Sequence, residues 1–492
     1  MSDVIHDTFQ QRSDKIQELI GQGVDCFGRR FECSDKARAC ETHFEEGKAV
    51  KLAGRLTALR GHGKTVFGNV LDATGLVQIY VKRDYLGDEK FILFKKANIG
   101  DILGLEGELF KTKTGEVTIL VKNFYFLGKA LRPLPEKWHG LKNVEIRYRQ
   151  RYLDLISSQE VRDIFIKRTR IISTIRSYLD QLGFMEVETP MMQSMAGGAA
   201  AKPFITHHEA LDVDLYLRVA PELFLKRVLV GGFEKIYEIN RNFRNEGLSR
   251  FHNPEFSMLE LYSAYDDYET MMRITEDLVR HLCDQVLGTD LFKRPDTGDD
   301  ISLRTPWARR GYFDLLEEIT GVDWRKETQV AQTALHQNPL GKNLVERELS
   351  PEWTDIDIIN EVFDKQVQPK LIQPTFVIDY PKQISPLAKT RADDPSIAER
   401  FELFMAGMEI ANAFSELNDP LEQRRRFEEQ AQKQGKEVDD DFLTALEYGM
   451  PCAGGLGIGI DRLVMILTHA PSIREVILFP QLRPERDQSC QS

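Results

Sequence analysis

The sequence predicts an α+β protein in two parts, a small barrel of five strands followed by a larger antiparallel sheet flanked by helices. Five short stretches with alternating apolar residues, separated by glycine-containing turns, lie between residues 50 and 121. Two prolines within 131–135 then interrupt regular structure. Beyond residue 184 several extended segments follow one another without a long intervening helix, which favours antiparallel pairing. The 492 residues, of which 42% are hydrophobic, exclude disorder over most of the chain.

The N-terminal part is predicted to consist of an extension and the barrel. Residues 1–45 show helix-like spacing of apolar residues among charges, which predicts a short helical extension. The strands are predicted at 50–56, 66–72, 77–81, 102–110 and 117–121. Their number and shortness are typical of the oligonucleotide-binding (OB) type of barrel, which we place at residues 46–130.

The distribution of charge bears on the partner of this barrel. The formal net charge of −12 would by itself argue against a nucleic-acid partner. Residues 51–150, however, hold 18 Lys and Arg residues and 10 Asp and Glu residues, so this segment carries +8 and the remainder −20. A basic, strand-rich module on an acidic body fits electrostatic attraction of a polyanion to one end of the protein.

The second part is predicted to occupy residues 159–492, after a linker or hinge at 131–158. Its first element is a long helix over 161–182 that ends at Gly183. The six cysteines include no Cys-x-x-Cys pair, and the first residues lack the basic and apolar regions of a secretory signal. We therefore expect a cytoplasmic protein with free thiols. In addition, no stretch of the sequence approaches the ~20 apolar residues that a membrane span requires.

Two glycine-containing segments resemble nucleotide-binding loops but do not fit their patterns. Gly63-Lys64-Thr65 ends like a phosphate-binding loop, yet the required first glycine falls on Ala58. The segment 457–459 opens like a dinucleotide fingerprint, yet its third glycine position is occupied by Arg462. If the protein uses ATP, another site must bind it.

The first candidate site is a polar loop between two predicted strands in the segment 233–262. The loop contains Arg244, Glu246, Arg250 and His252. A guanidinium group binds phosphate oxygens well because its planar fork makes two parallel hydrogen bonds. The loop therefore suits a phosphate-bearing ligand.

The strand that follows this loop carries a mixed face of aromatic and acidic residues. Phe256, Glu260 and Tyr262 occupy even positions, so the two-residue period of a strand points all three toward one side. Phe256 offers a ring on which a base can stack. Such a face suits a ligand better than solvent or a core.

The second candidate site is the segment 401–419, in which acids are embedded in apolar sequence. A turn at Ala406-Gly407 would form a hairpin in which Phe404 faces Glu409 and Glu402 lies on the same face. Magnesium favours one or two carboxylates together with substrate phosphates, so this pair of acids predicts a magnesium site. Three more residues have the opposite parity and reach that site only through a bulge: Asn412, Phe414 and Glu416.

The third candidate site is the glycine-rich segment 454–465. It predicts a strand that leads into a helix, with Asp461-Arg462 at the start of the helix. Small residues allow either a ligand or another backbone to approach closely. The pattern alone leaves both explanations of the glycines open.

Together these segments resemble the signature motifs of class II aminoacyl-tRNA synthetases. Residues 183–190 resemble motif 1, the helix and strand of the dimer interface, residues 243–246 resemble the core of motif 2, and residues 457–462 resemble motif 3. The segments 196–204 and 414–419 are similar to lysyl-tRNA synthetases in particular. The resemblance runs from about residue 50 to residue 480, and it implies a homodimer that activates L-lysine with ATP and Mg²⁺ and transfers it to tRNA(Lys).

The resemblance also implies roles for individual residues around ATP. Arg244 would bind the α-phosphate and Arg462 the γ-phosphate, and these two are the expected catalytic residues. Phe256 and Arg462 would enclose the adenine ring, with Glu246 and His252 on the loop of motif 2.

The remaining implied roles concern lysine, the metal and the tRNA. The expected lysine-binding residues are Gly198, Glu222, Glu260, Tyr262, Asn412, Phe414 and Glu416. The expected magnesium ligands are Glu402 and Glu409, and the expected anticodon-binding residues are Phe67, Gln78 and Glu116. The residue types independently favour lysine as the substrate, because its ammonium group requires carboxylates such as those of Glu260 and Glu416.

Three alternatives stay open at this point. An aspartyl- or asparaginyl-tRNA synthetase would call for Arg or Lys where this chain has Glu260 and Glu416. A lysyl-transferase that modifies elongation factor P would lack the barrel. A non-catalytic OB-fold nucleic-acid-binding protein would not require Arg244, Glu409 and Arg462 together.

Overall fold

The computed structural model describes residues 2–134, 143–199, 201–294, 296–325, 354–434 and 438–484. The chain divides into two compact units, Met1–Leu141 and Lys142–Ser492. Within the described residues no helix has both the length and the hydropathy needed to cross a membrane.

The first unit is a closed five-stranded barrel with short helices. Its strands follow the order β1-β2-β3-β5-β4 around the barrel. The strands are β1 (Ala49–His62), β2 (Thr65–Leu71), β3 (Leu76–Lys82), β4 (Ile102–Lys111) and β5 (Val117–Gly128). The helices are α1 (Ser2–Gly21), α2 (Ala37–Thr42), α3 (Arg83–Leu86) and α4 (Asp88–Phe94). The five-stranded barrel predicted from the sequence is confirmed.

Every second side chain along the strands points into the barrel and fills its core. On β3 the side chains of Val77, Ile79 and Val81 are at most 1% exposed, while the residues between them face outward. The two-residue turn between β1 and β2 contains Gly63 with φ +55°, a left-handed conformation that glycine adopts without strain. Lys129 and Asp101 form a fully buried ion pair inside this unit.

The second unit is built on an eight-stranded sheet with two smaller sheets. The first seven strands are β6 (Met185–Glu186), β7 (Met192–Gln193), β8 (Phe204–His208), β9 (Val213–Leu217), β10 (Lys235–Phe243), β11 (Glu255–Ala264) and β12 (Leu291–Lys293). The others are β13 (Asp300–Ser302), β14 (Ala308–Gly311), β15 (Thr375–Pro381), β16 (Ile397–Met405), β17 (Met408–Ser415) and β18 (Ala453–Gly459). The main sheet has the order β14-β15-β16-β17-β18-β11-β10-β6, and only its two outermost pairs are parallel.

Helices flank this sheet, as the sequence predicts. The helices before the main strands are α5 (Val144–Arg149), α6 (Arg151–Ser157), α7 (Gln159–Gln181) and α8 (Glu222–Val230). The later helices are α9 (Tyr268–Leu282), α10 (Tyr312–Thr320), α11 (Asp355–Val362), α12 (Pro420–Gln434), α13 (Asp440–Glu447), α14 (Ile460–Leu467) and α15 (Ile473–Val476). The predicted α+β class is therefore confirmed.

The main sheet has one face in the core and one face that carries polar residues. Leu259 and Leu261 of β11 pack into the core together with Ile175 of α7 and Leu278 of α9. The residues at even positions of β11 therefore point to the opposite face. This opposite face carries the candidate site.

The region predicted as a linker, 131–158, contains regular structure in its described part. Residues 135–142 lie outside the described residues, whereas α5 and α6 cover most of 144–157. Arg151 is fully buried, pairs with Asp154 at 2.7 Å and donates to the carbonyl oxygen of Arg474 at 2.6 Å. These contacts hold α6 in the second unit, and the domain boundaries given above stay predictions.

Candidate active site

Three adjacent strands, β10, β11 and β18, form the floor of the site. Glu260 of β11 lies opposite Gly457 of β18, and Tyr262 lies opposite Gly455. A β-carbon on Gly455 would stand 1.8 Å from Oε1 of Glu416 and 2.7 Å from the ring of Tyr262. Only glycine leaves room there for both side chains.

The glycines of β18 allow both kinds of close approach that the sequence left open, that of another backbone and that of the site. A β-carbon on Gly454 would stand 2.7 Å from the carbonyl oxygen of Asp267, next to the start of α9. Gly454 therefore allows the helix to approach, whereas Gly455 makes room for side chains of the site.

A cavity of about 400 Å³ opens over this floor, and the carboxyl groups of Glu222, Glu260 and Glu416 line it. Glu409, Asp439, Arg244 and Arg400 are the other charged residues of its lining. Glu260 is 5% exposed and Glu416 is 1% exposed. Burial disfavours the charged form, and it raises the pKa of each of these two groups to about 8. Burial and the neighbouring carboxylates also raise the pKa of Tyr262, whose hydroxyl is hydrogen-bonded to Glu260. The part of the cavity lined by Glu222, Glu260 and Glu416, here called the anionic slot, is therefore desolvated, and the carboxyl groups of Glu260 and Glu416 become fully charged as pH rises through about 8 or as a cation binds.

Gly198 lies at the wall of this cavity, beside Glu222. Its φ of +86° is a left-handed conformation that favours glycine, and a β-carbon there would stand 3.3 Å from Cβ of Glu222. The backbone of residue 198 and the Glu222 side chain are thus held close together.

Lys226, which was not predicted from the sequence, contacts two carboxyl groups of this slot. It lies one turn after Glu222 on α8 and is fully buried. Its Nζ is 2.7 Å from Oε1 of Glu222 and 2.5 Å from Oε2 of Glu416. The spacing of a Glu and a Lys four residues apart was the available signal, but that spacing is common on exposed helix faces.

The hairpin of β16 and β17 contains a bulge, which is what the sequence required for Asn412, Phe414 and Glu416 to face the same site as Glu409. Its turn is formed by Ala406 and Gly407, with φ values of 55° and 74°. Phe404 pairs with Glu409 but Leu403 pairs with Ala411, so Ile410 is the extra residue. The bulge changes the parity, and Glu409, Asn412, Phe414 and Glu416 all line the 400 Å³ cavity.

Arg244 stands where two cavities meet. It lines the 400 Å³ cavity and also a second cavity of about 110 Å³, which contains Phe256 and Arg462. Its guanidinium lies 5.1 Å from the centre of the Phe256 ring. Its Nε is buried and has no hydrogen-bond partner among the described residues. An unsatisfied buried donor at this junction indicates a place for an anionic ligand.

Arg462 and His252 are hydrogen-bonded to each other beside the second cavity. Nη1 of Arg462 donates to the carbonyl oxygen of Glu409 at 2.9 Å, and Nη2 lies 3.0 Å from Nε2 of His252. Arginine can only donate, so Nε2 of His252 accepts and its Nδ1 carries the proton, 2.8 Å from Oγ of Ser249. Burial and the charge of Arg462 lower the pKa of His252, which keeps the imidazole neutral. Glu246, in the same loop, is exposed and lines this cavity.

Glu402 and Glu409 line a third cavity, of about 440 Å³, together with His252 and Arg462. Glu402 accepts hydrogen bonds from the hydroxyl of Tyr380 at 2.8 Å and from Nη2 of Arg400 at 2.5 Å. Burial raises the pKa of Glu402 to about 7 although Arg400 opposes the shift.

Asp364, which the sequence analysis did not select, lines this third cavity as well. Burial raises its pKa to about 6, and the charges of Glu361 and Glu409 add to the shift. Within the described residues no group of three or more His, Cys, Asp or Glu side chains has the arrangement of a metal site. A pair of carboxylates beside an arginine still fits magnesium with a phosphate ligand, because magnesium keeps several waters and binds few protein ligands.

In the barrel, the three predicted anticodon residues lie on one face. Phe67 of β2 is opposite Tyr80 of β3, and their ring centres are 4.5 Å apart. Gln78 lies two residues before Tyr80, on the same side of β3, and donates to Glu116 at 2.7 Å. Phe67 remains 37% exposed, so the face presents an accessible ring beside hydrogen-bonding groups. Tyr80 is the member of this face that the sequence analysis missed.

Comparison with known proteins identifies the class to which this fold and site belong. Residues 143–483 match the family of tRNA synthetases class II (D, K and N), and residues 50–127 match the OB-fold nucleic acid binding domain. The chain therefore belongs to the class II tRNA synthetases of this family.

The relatives of the chain are more specific than the family. It is 54% identical to the lysine–tRNA ligase of Carboxydothermus hydrogenoformans over 488 residues, which cover 98% of this chain and 99% of the relative. It is 52% identical to the lysine–tRNA ligase of Pelotomaculum thermopropionicum over 490 residues, 98% of this chain and 96% of the relative. It is 50% identical to that of Staphylococcus haemolyticus over 503 residues, 98% of this chain and all of the relative. The resemblance drawn from the motifs is confirmed.

Proposed function

We propose that this chain is a lysine–tRNA ligase, which activates L-lysine with ATP and transfers it to the 3′ end of tRNA(Lys) for protein synthesis. The observation that carries this proposal is the desolvated slot of Glu222, Glu260 and Glu416, which opens onto Arg244. A cationic side chain and an α-ammonium group neutralise such a slot, whereas an acidic or amide side chain leaves buried charges unpaired. The lysine–tRNA ligases among the relatives support the same substrate.

In the first step, an oxygen of the lysine carboxylate attacks the α-phosphorus of ATP. The bond to the bridging oxygen breaks, and lysyl-adenylate and pyrophosphate form. Arg244 lines both cavities, so its guanidinium can hold the α-phosphate beside the carboxylate. Arg462 lines the second cavity as well and would bind the γ-phosphate. Catalysis then depends on positioning and on neutralisation of the developing charge rather than on a covalent enzyme intermediate.

The other predicted ATP contacts surround the second cavity. Phe256 and Arg462 both line it and would enclose the adenine ring, which an aromatic face and a guanidinium plane can stack. His252 is held neutral by its environment and orients Arg462 through their hydrogen bond. Glu246 is the exposed acid at the edge of this cavity.

Magnesium is the metal that Glu402 and Glu409 would hold, in the 440 Å³ cavity next to Arg462. When bound, it would screen the negative charge of the phosphates. The proposal predicts that Glu409→Gln raises the Mg²⁺ concentration needed for half-maximal activity. An unchanged magnesium requirement would remove Glu409 from this role.

The remaining lysine contacts are proposed from their place at the cavity. Glu222 and the backbone at Gly198 would bind the α-ammonium group, because they meet at one wall. Glu260, Tyr262 and Glu416 would bind the ε-ammonium group. Asn412 and Phe414 line the same cavity and would fix the aliphatic chain between these ends.

Transfer to tRNA uses the barrel for recognition. Phe67, Gln78 and Glu116 would read the anticodon, since unpaired bases stack on aromatic rings and bond to polar groups through their edges. Attack by a hydroxyl of the terminal ribose on the adenylate carbonyl then yields lysyl-tRNA and AMP. A cytoplasmic location fits the free thiols of the cysteines that the structure describes.

A homodimer is part of the proposal. Exposed apolar side chains cluster near motif 1, where Met192 of β7 is 56% exposed and Ile205 of β8 is 63% exposed. Both strands pair with β9 in one small sheet, so this apolar surface suits contact with a second copy. Light scattering at micromolar concentration should give twice the monomer mass, and a stable monomer would contradict the dimer.

The test of the function is ATP–pyrophosphate exchange with each of the twenty amino acids. We expect lysine to support exchange and aspartate and asparagine to be inactive, because the buried cation next to Glu222 and Glu416, Lys226, is already paired with both carboxylates. Exchange driven by aspartate or asparagine but not by lysine would overturn the proposal. The lack of exchange with any amino acid would favour a non-catalytic nucleic-acid-binding protein instead.

A further inference from the structure

Lys226 is the one buried cation in the described residues that contacts two carboxylates of the anionic slot. Its Nζ bridges Glu222 and Glu416, and it lies 5.4 Å from the centre of the Phe414 ring. Burial lowers the pKa of Lys226, but the two carboxylates more than offset this effect and the pKa is raised. The ammonium group is therefore a permanent charge of the site.

Lys226 offsets part of the buried negative charge at this site. The cavity is lined by the carboxyl groups of Glu222, Glu260, Glu409, Glu416 and Asp439 and by the guanidinium groups of Arg244 and Arg400. Substrate lysine would supply two ammonium groups, and its carboxylate would face Arg244. Lys226 adds a cation in direct contact with Glu222 and Glu416, so these two carboxylates share a permanent partner whether or not lysine is bound.

We propose that Lys226 is a positioning residue that fixes Glu222 and Glu416 to receive the two ammonium groups of substrate lysine, an inference that rests on the proposed function. The two oxygen atoms that contact Nζ are at most about 5 Å apart, because each lies within 2.7 Å of it. Oε1 of Glu416 has no hydrogen-bond partner among the described residues and stays available to the substrate. Lys226 thus orients one oxygen of Glu416 and leaves the other for the ε-ammonium group.

Lys226 also controls the ionisation of Glu416. The groups that face Glu416 are Glu222 and Lys226 from α8 and Glu260 and Tyr262 from β11, while β18 presents only Gly455. Burial raises the pKa of Glu416, and Lys226 is the cation that opposes the shift. A protonated carboxyl group cannot pair with ammonium, so lysine binding improves as pH rises through this pKa. Removal of Lys226 should raise the pKa further and move the improvement to higher pH.

The experiment compares Lys226→Met with the wild type by ATP–pyrophosphate exchange between pH 6.5 and 9. At pH 7.5 we expect the KM for lysine to rise at least tenfold, with kcat and the KM for ATP changed less than threefold. The ratio of mutant to wild-type KM should shrink as pH rises, because alkaline pH ionises the carboxyl groups that Lys226 no longer assists. Lys226→Arg retains the charge and should keep the pH at which wild-type binding improves.

Two controls separate this role from a general effect on folding. Lys129→Met removes another fully buried lysine, from the ion pair with Asp101 in the barrel, and should not alter the KM for lysine or its pH dependence. Lys226→Gln, which retains a hydrogen-bond donor, replaces Lys226→Met if thermal unfolding shows that the Met variant is not folded. An increase of KM by the same factor at every pH would assign Lys226 to structure alone and overturn the inference. Wild-type protein that fails to activate lysine would refute the proposed function instead.

Discussion

Gly455→Ala adds one methyl group and should weaken the binding of lysine without changing the binding of ATP. The new β-carbon would stand 1.8 Å from Oε1 of Glu416, whereas ordinary contacts begin at 3.4 Å, so the carboxylate must move by about 1.6 Å. A shift of this size breaks a hydrogen bond, whose donor–acceptor distance is about 2.7–3.2 Å. Loss of one hydrogen bond between charged groups costs about 1.5–3 kcal/mol, which corresponds to a ~10- to 160-fold weaker binding of lysine.

The assay is ATP–pyrophosphate exchange at saturating ATP with lysine varied. The matched control is Gly459→Ala on the same strand, where the nearest atom to the new β-carbon is 3.7 Å away. We expect the KM for lysine to rise only in Gly455→Ala, with the KM for ATP unchanged in that variant. A KM for lysine within threefold of the wild-type value would refute the assignment of Glu416 to the ammonium group. An equal rise in both variants would trace the effect to the strand rather than to Glu416.

Three further predictions test other parts of the site. Burial raises the pKa of Glu260 and of Glu416 to about 8, so both carboxyl groups lose their protons as pH rises toward 8.5. The KM for lysine in the exchange assay should therefore fall at least tenfold between pH 6.5 and 8.5. A KM that does not change with pH would contradict this prediction. Arg244→Ala should lower single-turnover adenylate formation at least ~10²-fold with little change in melting temperature, and near-normal activation would remove Arg244 from the phosphate site. Phe67→Ala should weaken tRNA binding by the ~1–3 kcal/mol of one stacked base while exchange stays intact, so unchanged charging kinetics would argue against the barrel face.

The strand pattern of the barrel was predictable because its rules are local. Alternation of apolar residues and glycine at turns predicted five strands, and each is present. Observed β1 runs from Ala49 to His62, well past the predicted end at residue 56. From residue 58 onward it pairs with β2 through residues that are partly buried or exposed, so the alternation of apolar residues there is too weak to be seen in the sequence.

The lysine slot was only partly predictable because its geometry depends on a bulge. The sequence placed Glu409 and Glu416 at opposite parity, and no local signal marks Ile410 as the extra residue. The register of β16 and β17 follows from tertiary packing, which pairs Phe404 with Glu409. Only the folded hairpin brings the two acids to one cavity.

Long-range ion pairs were the least predictable feature. Lys226 and Glu416 are far apart in sequence and meet at 2.5 Å because α8 packs over the sheet. Glu402 likewise receives a hydrogen bond from Tyr380, a residue of the neighbouring strand β15. A single sequence records neither contact, since the residue types are the same as those of solvent-exposed pairs.

The most direct test of the central claim is the identity of the amino acid that this protein attaches to tRNA. Purified protein is incubated with ATP, Mg²⁺, unfractionated tRNA and an equimolar mixture of the twenty amino acids, and the esterified amino acid is identified by mass spectrometry. We expect lysine on tRNA(Lys) and no other ester above background. Aspartyl or asparaginyl esters, or the absence of any ester from folded protein, would contradict it.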